Sequence, residues 1–428
     1  MCIHLNNCNM QLGKYSFGTG DRFARQGEAQ LKAFIEARKN GLEITPVWNK
    51  SGREHNIISS HPADTRQAAD TAIKNLNWNN PWFVDADHIN MSNVDMFIDS
   101  SDFFTIDVAE YIGKEPPERE LDDFVRNNMD FTGEFMIPRI ESPFILSEKM
   151  LLDIGKKFLF AIKEAGKIYR HIESRKGKGN FITEISMDEV VRSQSPIELF
   201  FILNAISNEK IPVQTIAPKF SGRFNKGVDY EGDLKQFAVE FEQDLLVIDL
   251  AIKEFGLPEN LKLSVHSGSD KFSIYPLIGE LIRKYDKGIH IKTAGTTWLE
   301  EMIGLAMAGS EAFGMVVKIY GESLLRFDEL CGPYSAVIDI DRERLPTASE
   351  VSGWDGKHFA SALRHDPGNR QYNPDMRQLI HVAYKIAAEQ QGAYTSLLDK
   401  NREIIGRQVT ENIYERHFKK LFDILNKK

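Results

Sequence analysis

The chain has 428 residues, 42% hydrophobic and 27% charged, with a formal charge of −9. This is a globular composition, and its acidic balance excludes a polyanion binder that relies on neutralising phosphates. No apolar run is long enough to span a bilayer. The start, Met-Cys-Ile-His-Leu, lacks the charged and apolar regions of a secretory signal. Three cysteines (Cys2, Cys8 and Cys331) without CxxC spacing predict neither a disulfide framework nor a zinc–thiolate site, and fit a reducing cytoplasm.

Short apolar runs alternate with segments of helical period. The predicted strands are Tyr15–Thr19, Ile44–Trp48, Trp82–Asp87, Phe103–Asp107, Phe181–Asp188, Val213–Phe220, Lys262–His266 and Ile289–Thr293. Helices are predicted over Glu28–Lys39, over Thr65–Leu76 with Asp64 as N-cap, from Glu148 to Ile172, from Asp233 to Phe255, and over Tyr275–Tyr285. Eight strand–helix alternations predict an α/β fold: a TIM-type (β/α)8 barrel with a helical C-terminal extension. An open doubly wound sheet competes, but no dinucleotide glycine fingerprint follows any strand. The expected layout is a barrel over 1–307, interrupted by an insertion around 108–145 that is rich in charge and proline. A helical region over 308–428, notably Arg377–Glu389 and Arg402–Asn426, packs on it.

Catalytic groups of such a barrel come from the C-terminal ends of its strands. Those ends carry Asp87-His88, Asp107, Asp188-Glu189, Lys219 to Arg223, His266 to Lys271, and His290 with Lys292. Histidine with carboxylate suits a divalent cation such as zinc or manganese, with His88 and His266 as the best-placed ligands. Asp87 and Glu189 are candidate acid/base groups, and Asp188 could fill the role of Glu189. Asp233 is either the N-cap of a long helix or a further ligand. Arg22, Lys219, Arg223, Lys271 and Lys292, with Asp270 beside them, suggest a pocket for a small anionic substrate. No phosphate-cradling glycine loop and no nucleophile elbow is present, and no nucleotide cofactor is expected. Arg377 and His381 either reach over the barrel mouth or lie within an amphipathic helix.

The segments Ser16-Phe17-Gly18-Thr19-Gly20-Asp21-Arg22, Asp85-Ala86-Asp87-His88 and Gly227-Val228-Asp229-Tyr230-Glu231-Gly232-Asp233 resemble the tagaturonate epimerase family. So do His266-Ser267-Gly268-Ser269-Asp270-Lys271-Phe272-Ser273, Lys292-Thr293-Ala294-Gly295-Thr296 and Arg377-Gln378-Leu379-Ile380-His381-Val382. The resemblance implies a metal-dependent isomerase of hexuronate catabolism, without a nucleotide cofactor, that interconverts tagaturonate and fructuronate. It implies Asp87 as proton acceptor, Glu189 as proton donor, and His88, His266 and Asp233 as metal ligands. Asp229 and His290 compete for the third ligand position. A metal-dependent aldolase or keto-sugar isomerase is the alternative enzyme, and a non-catalytic sugar-acid binder the alternative of another class. The expected partner is a small anionic sugar, with no nucleic acid and no membrane; a homo-oligomer is compatible.

Overall fold

The computed structural model describes residues 10–190, 192–390 and 392–422. Cys2 and Cys8 lie outside the described residues, and Cys331 is buried and free. Eight parallel strands close a barrel: β1 (Tyr15–Thr19), β2 (Thr45–Ser51), β3 (Phe83–Ile89), β4 (Phe103–Asp107), β7 (Ile182–Ser186), β8 (Thr215–Ala217), β9 (Lys262–His266) and β10 (Ile289–Thr293). Strand β1 pairs with β10 from Tyr15–Ile289 to Thr19–Thr293, which closes the ring. Strands β5 (Gly133–Phe135) and β6 (Phe144–Leu146) form an antiparallel hairpin in the insertion, beside the helix Glu118–Asn127. Strand β8 stops well short of the predicted Phe220, because Pro218 cannot donate to a neighbouring strand.

The two-residue period of each strand sorts its side chains. Val47, Phe83, Phe103 and Ile182 point inward and, with Leu12, form a small apolar layer inside the barrel. On the same strands Trp48, Val84, Phe104 and Ile185 occupy the alternate, outward positions and join the large core beneath the helices. Two residues further along, the inward positions are Asn49, Asp85, Thr105 and Glu184, so the filling turns from apolar to polar toward the mouth.

The long helices follow the sequence periods with shifted ends. The predicted Thr65–Leu76 segment spans Pro62–Asn75 and is capped by His61 rather than Asp64. Proline at the first position pre-sets the helical turn, and Asp64 returns its carboxylate to the His61 N–H at 2.8 Å as the other half of a capping box. The predicted Arg402–Asn426 helix passes through a π-helical turn at Asn412–Phe418. The helices Gly356–Leu363 and Arg402–Glu411 pack against Thr296–Met307, the helix after β10, while the π-helical turn lies on Gly27–Lys39. Gly304 permits this approach, since a Cβ there would meet the Ile405 Cα at 2.7 Å. No helix among the described residues is long and apolar enough to cross a membrane.

Candidate active site

A register shift in β3 shapes the mouth. Between Ala86 and Ile89 one extra residue is fitted against β4, and His88 within that bulge has a left-handed φ of 50°. A regular strand would turn Asp87 and His88 to opposite faces; the bulge lets both reach the mouth. His88 is anchored through Nδ1 to Asp107 at 2.9 Å, and its Nε2 lies 3.7 Å from an Asp87 oxygen.

His266 ends β9 and stands edge-on to His88, with ring centroids 5.4 Å apart. Its Nε2 bonds Glu184 at 2.8 Å, while Nδ1 lies 3.3 Å from Asp188. Ser186 donates to the other Asp188 oxygen at 2.5 Å. One donor atom each of His88, Asp188 and His266 lies within 4.8 Å of the other two, and His88, Asp107 and Glu189 form a second such trio. Below them, Lys292 Nζ contacts Asp85 at 2.8 Å, Asp87 at 2.9 Å and Glu184 at 2.9 Å.

Electrostatics follow from this arrangement. Burial alone would lower His88 and His266, but the surrounding carboxylates outweigh it: His88 is held well above its ordinary value by Asp87, Asp107 and Asp188, and His266 is raised to about 9 by Asp188 and Glu184. Burial raises Asp87, yet Lys292, His88 and His266 bring it down to about 2. Asp85 is carried up by burial, with Asp87 and Glu184 adding to it, despite Lys292. Six carboxylates therefore surround two imidazoles and one ammonium, a donor set with surplus negative charge. Two imidazoles and a carboxylate around one point suit a borderline divalent cation. The His266 Nδ1 that faces this point has no hydrogen-bond partner in the structure.

Of the residues predicted from sequence, Asp87, His88, Glu189 and Arg22 line a cavity of about 550 Å³ at the mouth, and His266 adjoins them. Asp188 stands with the two histidines in a group that could hold a metal ion, whereas Asp233, Asp229 and His290, the expected candidates for a third ligand, are not part of it. Asp233 is exposed and accepts from Lys235 and Gln236 as a helix N-cap, which uses its carboxylate locally. Asp229 is held by Ser273, and His290 is buried beneath the cluster with Nδ1 on Ser16.

Most of the predicted substrate cations do not line the cavity. Lys292 is sunk into the carboxylate cluster, and Lys271 donates to the carbonyls of Asn225 and Val228. Arg223 is exposed and pairs with Asp339 at 2.8 Å. Lys219 contributes its backbone N–H to Gln194, with its ammonium 6.0 Å from the Phe224 ring. Asp270 is fully buried, accepting from Arg377 at 2.7 Å and His417 at 3.0 Å, and so ties the barrel to the C-terminal region. Arg22 faces the cavity, but its guanidinium pairs with Glu54 and stacks on Tyr384, 3.8 Å from the ring centroid. His381 is buried against Gly295, where a Cβ would meet its Nε2 at 1.8 Å.

Sequence reasoning missed Asp107 and Glu184 as histidine partners, and Arg53, Lys226 and Tyr334 as cavity walls. Asp107 already stood at a strand end, which was the available signal. A second cavity, of about 490 Å³, lies between Arg25, Lys50 and Arg402, and its charges pair among themselves as Arg25–Asp399 and Arg402–Glu28.

Residues 3–424 match the model of a family described as tagaturonate epimerase. A tagaturonate/fructuronate epimerase of Thermotoga maritima is 27% identical over 421 residues, covering 94% of this chain and 79% of the relative. The glycerol-complexed crystal structure of the fructuronate–tagaturonate epimerase of Cohnella laeviribosi superposes with a TM-score of 0.79 at 22% identity, over 96% of this chain and 82% of that one. Its native form gives 0.77 at 21%, over 97% and 82%.

Proposed function

As the chain belongs to the tagaturonate epimerase family and is an isomerase, we propose that it interconverts tagaturonate and fructuronate by metal-assisted cleavage and re-formation of the C3–C4 bond. The observation that carries this reading is the convergence of His88, Asp188 and His266 beside Asp87 and Glu189 at the barrel mouth.

The two sugars differ at C4, and the ketone is at C2. The C4 hydrogen is not α to that ketone, so enolisation cannot invert the centre. Retro-aldol cleavage leaves an enediolate on C1–C3 and an aldehyde at C4; turning the aldehyde and re-adding it gives the epimer. His88 through Nε2, His266 through Nδ1 and an Asp188 oxygen would hold the cation. When bound, a divalent ion supplies charge stabilisation for the ketone and the developing enediolate.

The chain's own residues divide the proton work. Asp87 is ionised and buried, with one oxygen on Lys292 at 2.9 Å, and accepts the C4 hydroxyl proton as the bond breaks. Glu189 lines the cavity and returns a proton to the new C4 oxygen after re-addition. Asp188 is less suited to that step, because one of its oxygens accepts from Ser186 and the other stands with the two imidazoles as a candidate ligand. The acidic chain and the chemistry fit a metabolic enzyme of the cytoplasm. The test is NMR of fructuronate turnover in deuterated water: retro-aldol exchange epimerises C4 without deuterium at C1 or C3, whereas deuterium at either position would mean enolisation and contradict the proposed route.

A further inference from the structure

An anionic sugar entering this cavity meets an acidic rim: Asp87, Asp107, Glu110 and Glu189 all face it. A cation bound at the His88–His266 end would offset part of that charge. The rest of the cavity needs a cation of its own, and Arg22, the predicted cation that lines it, is already neutralised by Glu54. Two further cations line the same walls. Arg53 follows β2, on the short helix Gly52–Ile58; Lys226 sits in the long loop after β8. They flank one ring, with the Lys226 Nζ 5.3 Å and the Arg53 guanidinium 5.9 Å from the centroid of Tyr334.

Tyr334 comes from the C-terminal region and is fixed through its hydroxyl to that of Tyr384, 3.0 Å away. Lys226 is fixed at its backbone, donating to Val337 at 2.7 Å. Neither cation forms an ion pair or a side-chain hydrogen bond with any described residue, although acids crowd the cavity. Burial lowers the Lys226 ammonium, Arg22 lowers it further, and Glu189 only partly compensates. A half-buried lysine and an exposed arginine, held on rigid supports, facing a cavity and lacking counter-charges, are poised for an anion.

We infer that Lys226 and Arg53, spaced by the Tyr334 ring, form the anchor for the substrate carboxylate and set the preference for sugar acids over neutral ketoses. The inference rests on the proposed activity for its substrate class. It assigns C6 of the sugar to the side of the mouth that the C-terminal region completes, which leaves C1 to C4 for the His88–His266 cluster.

The test uses the full-length, metal-loaded protein with Lys226→Gln, Arg53→Gln and, as a control outside the cavity, Lys219→Gln. Folding of each is checked by thermal melting. Calorimetric binding and steady-state kinetics are measured with fructuronate and with fructose, its uncharged analogue. Loss of one charge-assisted contact corresponds to roughly a ten- to hundredfold loss of fructuronate affinity. That loss should appear in KM more than in kcat for the Lys226 and Arg53 variants, with fructose affinity shifting less than threefold, and not appear in the control. Unchanged fructuronate affinity in both cavity variants overturns the anchor, as does an equal loss toward fructose. If wild type binds fructuronate but does not epimerise it, the proposed activity fails alone, and the binding arm still decides the anchor.

Discussion

Glu184 and His266 are joined at 2.8 Å through the imidazole Nε2, deep in the barrel wall. That bond fixes the ring and commits Nε2 inward, so Nδ1 is the nitrogen turned toward Asp188 and the mouth. Asp107 does the reverse for His88, holding Nδ1 and freeing Nε2. Partners of this kind tune metal affinity by orienting the ligand, and removing one typically costs 10–100-fold. Glu184→Gln should therefore weaken zinc or manganese binding by about that factor in calorimetric titration, with the fold intact. Unaltered affinity would mean that His266 does not ligate through Nδ1.

Lys292 gives a sharper contrast between structural and substrate-binding roles. Its ammonium is 4% exposed and shared by Asp85, Asp87 and Glu184. Lys292→Met removes the cation that three buried carboxylates depend on, and breaking a buried pair in this way costs about 3–5 kcal/mol. Denaturant unfolding should show a loss of that order. A substrate-contacting lysine would instead raise KM and leave the unfolding midpoint in place.

Asp233 separates capping from ligation. As an exposed N-cap of Leu234–Phe255, its replacement by alanine should cost about 1 kcal/mol of stability. Metal stoichiometry and turnover should stay at wild-type values; loss of bound metal in Asp233→Ala would return it to the ligand set.

Asp270 links pH to cohesion of the barrel and its C-terminal helices. Burial raises its carboxyl, but Arg377, His365 and His417 overcome this and hold it well below the usual range. A depressed folded value contributes stability that is present above the unfolded value of about 4 and lost as pH falls below it. Wild type should therefore exceed Asp270→Asn in melting temperature at pH 7, with the gap narrowing toward pH 3. A gap independent of pH would contradict the linkage.

Much of the architecture was legible because strand chemistry is local. Strands β1, β4, β9 and β10 begin and end where the apolar runs do, and the polar residues in the last positions of β3 and β9 and just past β7 supply Asp87, His88, His266 and Asp188. The bulge at His88 was not legible, since one extra residue in a ladder depends on the neighbouring strand. Glu184 sits within an apolar run and reads as barrel filling until β9 brings His266 beside it. Arg53, Lys226 and Tyr334 come from three distant segments, and only packing of the C-terminal helices on the mouth makes them one wall. Asp233 stood open between capping and ligation, because both use the same residue type in the same setting; the structure shows it capping Leu234–Phe255.

If the His88–Asp188–His266 group holds a divalent cation, epimerisation depends on that cation. The most direct measurement is fructuronate-to-tagaturonate conversion, followed by NMR on protein stripped with chelator and then reloaded. The loaded protein should convert fructuronate, the stripped protein should not, and added metal should restore conversion, with His88→Ala and His266→Ala not rescued. Conversion that persists after complete metal removal would contradict that dependence.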